Sequence, residues 1–112
     1  MKIKGIGVDI IEIQRFRSLL KRKKNPFFER VFSKIEIEYC MSYNDPAVRF
    51  AGTFAAKEAV QKTLDKAVGL EEIEIRRDGK GKPHAWLKGR RSRVLISISH
   101  SQETACAIAI RQ

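Results

Sequence analysis

Acidic residues are scarce in this chain: 13 Asp and Glu stand against 23 Lys and Arg over 112 residues, a net charge of +10. The shortage is local. Between Gln14 and Lys24 there are Arg15, Arg17, Lys21, Arg22, Lys23 and Lys24 and no acid. Such a run is ordinarily a solvated face, but cations at this density also attract an acidic partner. Cysteine is rarer still. Cys40 and Cys106 lie far apart without metal-ligand spacing, which argues against a thiolate metal site. Both are expected as packing thiols of a reduced, cytoplasmic protein, with a single disulfide left open. No apolar run approaches the length that spans a bilayer, so no membrane role is expected, and Met1-Lys2 leads into Ile3 without a signal-peptide layout. Internal repeats, linkers and low-complexity stretches are missing, so residues 1–112 are expected to form one domain.

What is present fits a globular fold, with 43% hydrophobic and 8% aromatic residues. A chain this short buries a modest core, which makes self-association a source of stability. "IKGIGVDIIEI" (3–13) reads as a strand with Asp9 near its middle. Gln14 to about Lys23 has Phe16, Leu19 and Leu20 at helical spacing, and Asn25-Pro26 ends it. Ser33 and Glu36 form a capping box for a helix reaching about Met41. Asp45 and Pro46 predict the start of a long helix running to about Lys66. "EEIEIRR" and "HAWLK" read as strands around the loop "DGKGKP", and "RVLISIS" and "TACAIAI" as a hairpin around "HSQE". The fold class is therefore α+β, an antiparallel sheet with a long helix packed against it.

Three features put polar groups in apolar places. Asp9 points to the face opposite Val8 and Ile10, together with Ile11. In "GTFAAKEAVQK", Phe54, Glu58 and Lys62 stack on one stripe of the long helix. Read singly, Asp9 is an edge aspartate, and Glu58 and Lys62 are an i,i+4 pair contributing about 0.2–0.5 kcal/mol. Read together, two converging carboxylates suit Mg²⁺, which takes one or two carboxylates plus waters and phosphates. Lys62 could then reach a phosphate oxygen. In "SISHS", Ile96 and Ile98 face the core, Ser97 and Ser99 face away, and His100 ends the strand. Adjacent strand residues point apart and no elbow motif surrounds them, which argues against a Ser-His nucleophile. "GIG" lacks the third glycine and following helix of a dinucleotide site.

"GIGVDIIEI", "FAGTFAAKEAVQK", "IEIRRDGKGKP" and "ISISHS", in that order, resemble the small bacterial 4′-phosphopantetheinyl transferases, the holo-acyl-carrier-protein synthases, over nearly the whole chain. The resemblance implies their fold and a Mg²⁺-dependent transfer of phosphopantetheine from coenzyme A to a serine of an acidic apo-acyl carrier protein. Adenosine 3′,5′-bisphosphate would leave, and the setting would be fatty acid biosynthesis. By matching motif, Asp9 and Glu58 would hold the metal and Lys62 would neutralise phosphate or assist proton transfer. Ser99, His100 and Ser101 would lie near the nucleotide end of coenzyme A, and Lys82 and Pro83 along its adenine or phosphates. Glu58 and Asp9 both remain candidates for the general base. The resemblance also implies a homotrimer with sites between subunits, His100 coming from a neighbour, and a contact of Arg15, Arg17, Lys21 and Arg22 with the carrier.

The chain departs from that pattern at Thr53, where the family often has an arginine; Arg49, one turn earlier, is the expected substitute. Gln61 also replaces a serine. Two other readings compete. A basic nucleic-acid-binding module would use the 15–24 run, but it leaves Asp9 and Glu58 unexplained and offers no stacking aromatic there beyond Phe16. A non-catalytic trimer would pair the carboxylates with Lys62 or an arginine.

Overall fold

The computed structural model describes residues 2–22 and 25–112. Strand β1 (Gly5–Glu12) leads into α1 (Ile13–Leu20), followed by α2 (Phe27–Val31), α3 (Lys34–Met41) and the long α4 (Pro46–Lys62). A 3₁₀ turn at Leu70–Glu72 precedes β2 (Ile73–Arg77), β3 (Pro83–Leu87), β4 (Arg90–Arg91), β5 (Leu95–His100) and β6 (Thr104–Arg111). The α+β class and the antiparallel pairing are as expected. The strands, however, form two three-stranded sheets, β1-β6-β5 and β2-β3-β4. The first joins the two ends of the chain, with Gly5 opposite Arg111 and Glu12 opposite Thr104. Pairing between segments that far apart leaves no local trace in a sequence.

Alternation along β1 does two jobs. Gly5, Gly7, Asp9 and Ile11 face α4, while Ile6, Val8, Ile10 and Glu12 face solvent. A β-carbon on Gly7 would overlap the carbonyl oxygen of Ala59, and one on Gly5 the carbonyl oxygen of Thr63. The two glycines therefore let the C-terminal half of α4 lie directly on the strand. Small residues complete the fit on the helix side, where Ala51, Ala55, Ala56 and Ala59 are all buried.

The other flank of α4 is aromatic. All six phenylalanines of the chain, at 16, 27, 28, 32, 50 and 54, pack together, with Phe28 and Phe50 4.8 Å apart edge to face. Phe16 is fully buried at the centre, and its ring contacts the other five. Each such pair adds about 0.5–1.5 kcal/mol beyond the area it buries. The cluster pins α1 and α2 to α4. Helix α2, which follows directly on the Asn25-Pro26 punctuation, delivers Phe27 and Phe28 to it.

Helix ends follow the sequence with two exceptions. The Ser33–Glu36 capping box is formed, Ser33 Oγ accepting from the Glu36 N–H at 3.2 Å and Glu36 Oε1 from the Ser33 N–H at 2.8 Å. Asp45 stands at the N-cap of α4 before Pro46, but its side chain makes no cap bond. Instead Oδ2 accepts from Arg17 at 2.6 Å. Helix α4 stops at Lys62, four residues before the expected end, and the free Thr63 carbonyl just beyond it accepts from Arg111 at 2.7 Å. Cys40 and Cys106 are free thiols, which settles the disulfide left open. No helix among the described residues is long and apolar enough to cross a membrane.

Candidate active site

Asp9 and Glu58 converge because Gly7 lets α4 lie on β1 at Ala59, the residue after Glu58. One oxygen of Asp9, Oδ1, accepts from Lys62 Nζ at 3.2 Å, and the same ammonium donates to the Val8 carbonyl at 2.8 Å. The expected Glu58–Lys62 pair along the helix is replaced by this cross-element contact. The other oxygen, Asp9 Oδ2, is buried without a hydrogen-bond partner. Burial and then the neighbouring Asp9 carboxylate push the Glu58 carboxyl above its ordinary range, against the opposing charges of Lys62 and Arg15. Two like charges in partial burial are held together only at a cost.

That arrangement fits a divalent cation. A buried carboxylate oxygen with no donor, beside a second carboxylate crowded by it, is a pair lacking the positive charge between them. Among the described residues no cluster of three or more His, Cys, Asp or Glu forms a full protein cage. Mg²⁺ asks for none, since it keeps waters and binds through one or two carboxylates with substrate phosphates.

Arg15 joins this group, as the sequence reading did not foresee. Its guanidinium lies 5.4 Å over the Phe54 ring, within electrostatic reach of Glu58. The signal was available in the periodicity: Phe16 is nailed into the core, so Arg15 must flank it. Arg17 is tied to Asp45, whereas Lys21 and Arg22 are exposed. The remaining cations of that run, Lys23 and Lys24, lie outside the described residues.

The other predicted residues fall elsewhere. His100 sits on the inner face in register with Ala105 and Ile11, two strands from β1, about 10 Å at ordinary strand spacing. With Ser101 it lines a groove of about 620 Å³ shared with Arg17, Asp45 and Val48, at the far end of α4 from Lys62. Ser99 points to the opposite face. Ser101 accepts from the Glu103 and Thr104 N–H groups and so shapes the turn. Lys82 and Pro83 line a third region of about 470 Å³ with Arg91 and Arg93. The Lys82 backbone there is fixed by Asp78, whose Oδ1 accepts its N–H at 3.0 Å. Arg49 stacks 4.0 Å above the Tyr43 ring, nine residues and about 14 Å of helix rise from Glu58. Thr53 is buried, with Oγ1 3.7 Å from Cys40 Sγ, enclosed between α3 and α4.

Comparisons with known proteins give the family. The family model described as "4'-phosphopantetheinyl transferase superfamily" matches residues 5–109. A holo-[acyl-carrier-protein] synthase of Chlorobaculum parvum is 42% identical, with 96% of this chain and 97% of that one covered. The chain belongs to the 4′-phosphopantetheinyl transferases, among the holo-acyl-carrier-protein synthases. Its chemistry is phosphopantetheinyl transfer. A second relative of that name, from Chlamydia caviae, is 42% identical over 98% of both chains. Among solved structures, the synthase of Bacillus anthracis in complex with CoA (3',5'-ADP) matches with a TM-score of 0.81 and 35% identity, covering 96% of this chain and 95% of that one. The synthase of Neisseria meningitidis matches at 0.82 and 30%, covering 99% of each. The Helicobacter pylori enzyme in complex with coenzyme A matches at 0.77 and 32%, covering 93% and 96%. The fold expected from the resemblance is thus the fold observed.

Proposed function

We propose that this transferase takes 4′-phosphopantetheine from coenzyme A and attaches it to a serine of an acidic apo-acyl carrier protein in the cytoplasm, serving fatty acid biosynthesis. Adenosine 3′,5′-bisphosphate is the leaving group, and Mg²⁺ is held by Asp9 and Glu58. The observation that carries the reading is the buried Asp9 Oδ2, which accepts from no donor, on a carboxylate whose charge acts directly on Glu58. Coenzyme A as donor is supported by its presence in the Bacillus anthracis and Helicobacter pylori relatives.

When bound, Mg²⁺ supplies charge stabilisation for the phosphates at the reacting phosphorus. The rest falls to the protein. Lys62 Nζ, already held at the mouth by the Val8 carbonyl, binds a phosphate oxygen and offsets the charge passing to the leaving group. Glu58 takes the proton of the carrier serine as its oxygen attacks the phosphorus attached to pantetheine. The bond to the departing phosphate breaks on the opposite side. Arg15 beside Glu58, with the exposed Lys21 and Arg22 just past the end of α1, offers the carrier a basic surface, and steering of this kind weakens with salt.

One chain does not assemble the whole site, and this supports a trimer with sites between subunits. The outer face of β1-β6-β5 carries the rows Ile6–Ile110–Leu95, Val8–Ile108–Ser97 and Ile10–Cys106–Ser99. Ile6, Val8 and Ile10 are 64%, 57% and 66% exposed. An apolar sheet face of this kind is an association surface. Packing it on other copies would carry the His100, Ser101 and Lys82–Pro83 groups of one chain toward the Asp9–Glu58 pair of another.

The test is direct. Incubation with coenzyme A, Mg²⁺ and apo-acyl carrier protein should add one phosphopantetheine to the carrier, read by intact mass. Asp9→Asn and Glu58→Gln should each abolish the addition while circular dichroism stays native. A carrier left unmodified with either Mg²⁺ or Mn²⁺ would refute the reading.

A further inference from the structure

The pair Lys57–Glu36 is completely buried, and it lies beside the site without belonging to it. Lys57 Nζ donates to Glu36 Oε1 at 2.7 Å, and both side chains are shut off from solvent. The same oxygen accepts from the Ser33 N–H at 2.8 Å, while Oε2 accepts from the Ile75 N–H at 2.7 Å. One carboxylate thus joins the first turn of α3, the middle of α4 and strand β2. Burial pulls the Lys57 ammonium below its ordinary range and Glu36 opposes that pull.

A buried ion pair is weak evidence for stability, because desolvation offsets the attraction. Its directionality is another matter. Helix α4 is buried on nearly every side: Phe50 and Phe54 hold one flank in the aromatic cluster, its alanines leave the rest smooth, and Lys57 gives it a directed polar contact. Consecutive helical residues differ by about 100° in direction. Fixing Lys57 on Glu36 therefore fixes where Glu58 points. On the opposite side, the contacts of Gly5 and Gly7 with the α4 backbone set how close the helix lies to β1. The glycines set depth, and the ion pair adds to the aromatic contacts of Phe50 and Phe54 the polar contact that trims azimuth.

We propose that Glu36 and Lys57 are positioning residues for the transfer reaction: their ion pair sets the rotation of α4 and so aims Glu58 at Asp9. Neither touches substrate. The inference rests on the reading of Asp9 and Glu58 as the metal-binding pair.

A charge-free pair of similar shape, Glu36→Gln with Lys57→Met, separates positioning from stability. It removes both buried charges together, and the new amide oxygen can still accept from either the Ser33 or the Ile75 N–H; urea denaturation reads the stability this leaves. Partners that orient metal ligands typically matter by about 10–100-fold in metal affinity or activity. The double variant is expected to bind Mn²⁺ about tenfold more weakly by titration calorimetry, and to lose about tenfold in kcat with KM for coenzyme A little changed. Recovery of both quantities to parental values in a folded double variant would overturn the proposal. Glu36→Asp is the second arm. It keeps both charges but withdraws the carboxylate by one methylene, and it is expected to lower Mn²⁺ affinity and kcat in the same sense. If the double variant does not fold, Glu36→Asp decides alone, and parental values there overturn the proposal. Absence of transfer by the parent protein would count against the functional reading, while the Mn²⁺ arm still judges the aim of Glu58.

Discussion

Gly7 lies against Ala59 so closely that a β-carbon at position 7 would overlap the Ala59 carbonyl oxygen. The contact is between backbones, so neither partner can move aside as a side chain would. Gly7→Ala is therefore expected to cost at least about 1–3 kcal/mol, the range for overpacking a tight interior, and to separate Asp9 from Glu58. Gly79→Ala is the control, since nothing lies within 4 Å of a β-carbon there. Urea denaturation should show a lowered midpoint for Gly7→Ala and a parental one for Gly79→Ala. Equal midpoints would mean that α4 does not rest on β1 as described.

Lys62 bridges the Val8 carbonyl and Asp9 Oδ1 while about half of its side chain remains in solvent. Its removal should leave folding intact and weaken phosphate binding. A charge-assisted contact of about 1.5–3 kcal/mol corresponds to a rise of roughly tenfold or more in KM for coenzyme A. Lys62→Met is expected to show this rise, together with a flatter dependence of KM on salt. An unchanged KM would remove Lys62 from the substrate.

Much of this was legible in the sequence, for reasons that can be located. Asp9 and Glu58 stood out because charge in an apolar stretch needs compensation, and strand and helix periodicity fixed which way each points. The capping box gave α3 to the residue. The second role of Glu36 is not legible. Its capping role accounted for it, and nothing local shows that the same carboxylate also meets Lys57, 21 residues on, and Ile75, 39 residues on. Arg49 is expected at coenzyme A from the resemblance, and that its guanidinium lies over the Tyr43 ring is a contact no local pattern shows. Two sheets instead of one could not be read, because pairing between chain ends carries no local signature.

Cys40 should be chemically silent in the folded protein. Burial, reinforced by the nearby Glu36 charge and opposed by the Thr53 hydroxyl, pushes its thiol up to about 12. The thiolate is the nucleophile, so at mildly alkaline pH almost none is present and the reagent has no path to it. Peptide mapping after iodoacetamide treatment should find Cys40 unlabelled in the native protein and fully labelled in guanidinium. Labelling of Cys40 under native conditions would show that the α3–α4 interface opens readily.

Asp78 organises the loop that carries Lys82 and Pro83. The hydrogen bond from His84, then the Lys82 and Lys80 N–H groups, lower its carboxyl from 3.8 to about 2. A carboxyl depressed in the folded state contributes stability that is present above its unfolded value and disappears as pH falls through its folded one. The contribution therefore fades between about pH 4 and 2. A carbon-detected NMR titration should place the Asp78 midpoint near 2, and His84→Ala should move it back up toward the ordinary range. A midpoint unmoved by His84→Ala would assign the depression to the backbone donors instead.

The division of the site between subunits makes the sharpest demand on the proposed trimer. Within one chain, His100 lies at the groove of Arg17, Asp45 and Val48, while Asp9 lies with Glu58 and Lys62. If neighbours supply the two halves, Asp9→Asn and His100→Ala are complementary defects. Each homotrimer is impaired at every site. In an equal mixture of the two variants, unfolded and refolded together, about a quarter of the interfaces in a closed ring join an intact Asp9 to an intact His100. Activity of the mixture should exceed that of either variant alone and approach that fraction of the parent. Val8→Asp provides the structural counterpart. Val8 sits in the exposed row with Ile108 and Ser97, and a carboxylate there would be buried unpaired on association, so light scattering should report monomers. Complementation without association would contradict the arrangement, because halves on separate chains can act together only where the sheet faces meet.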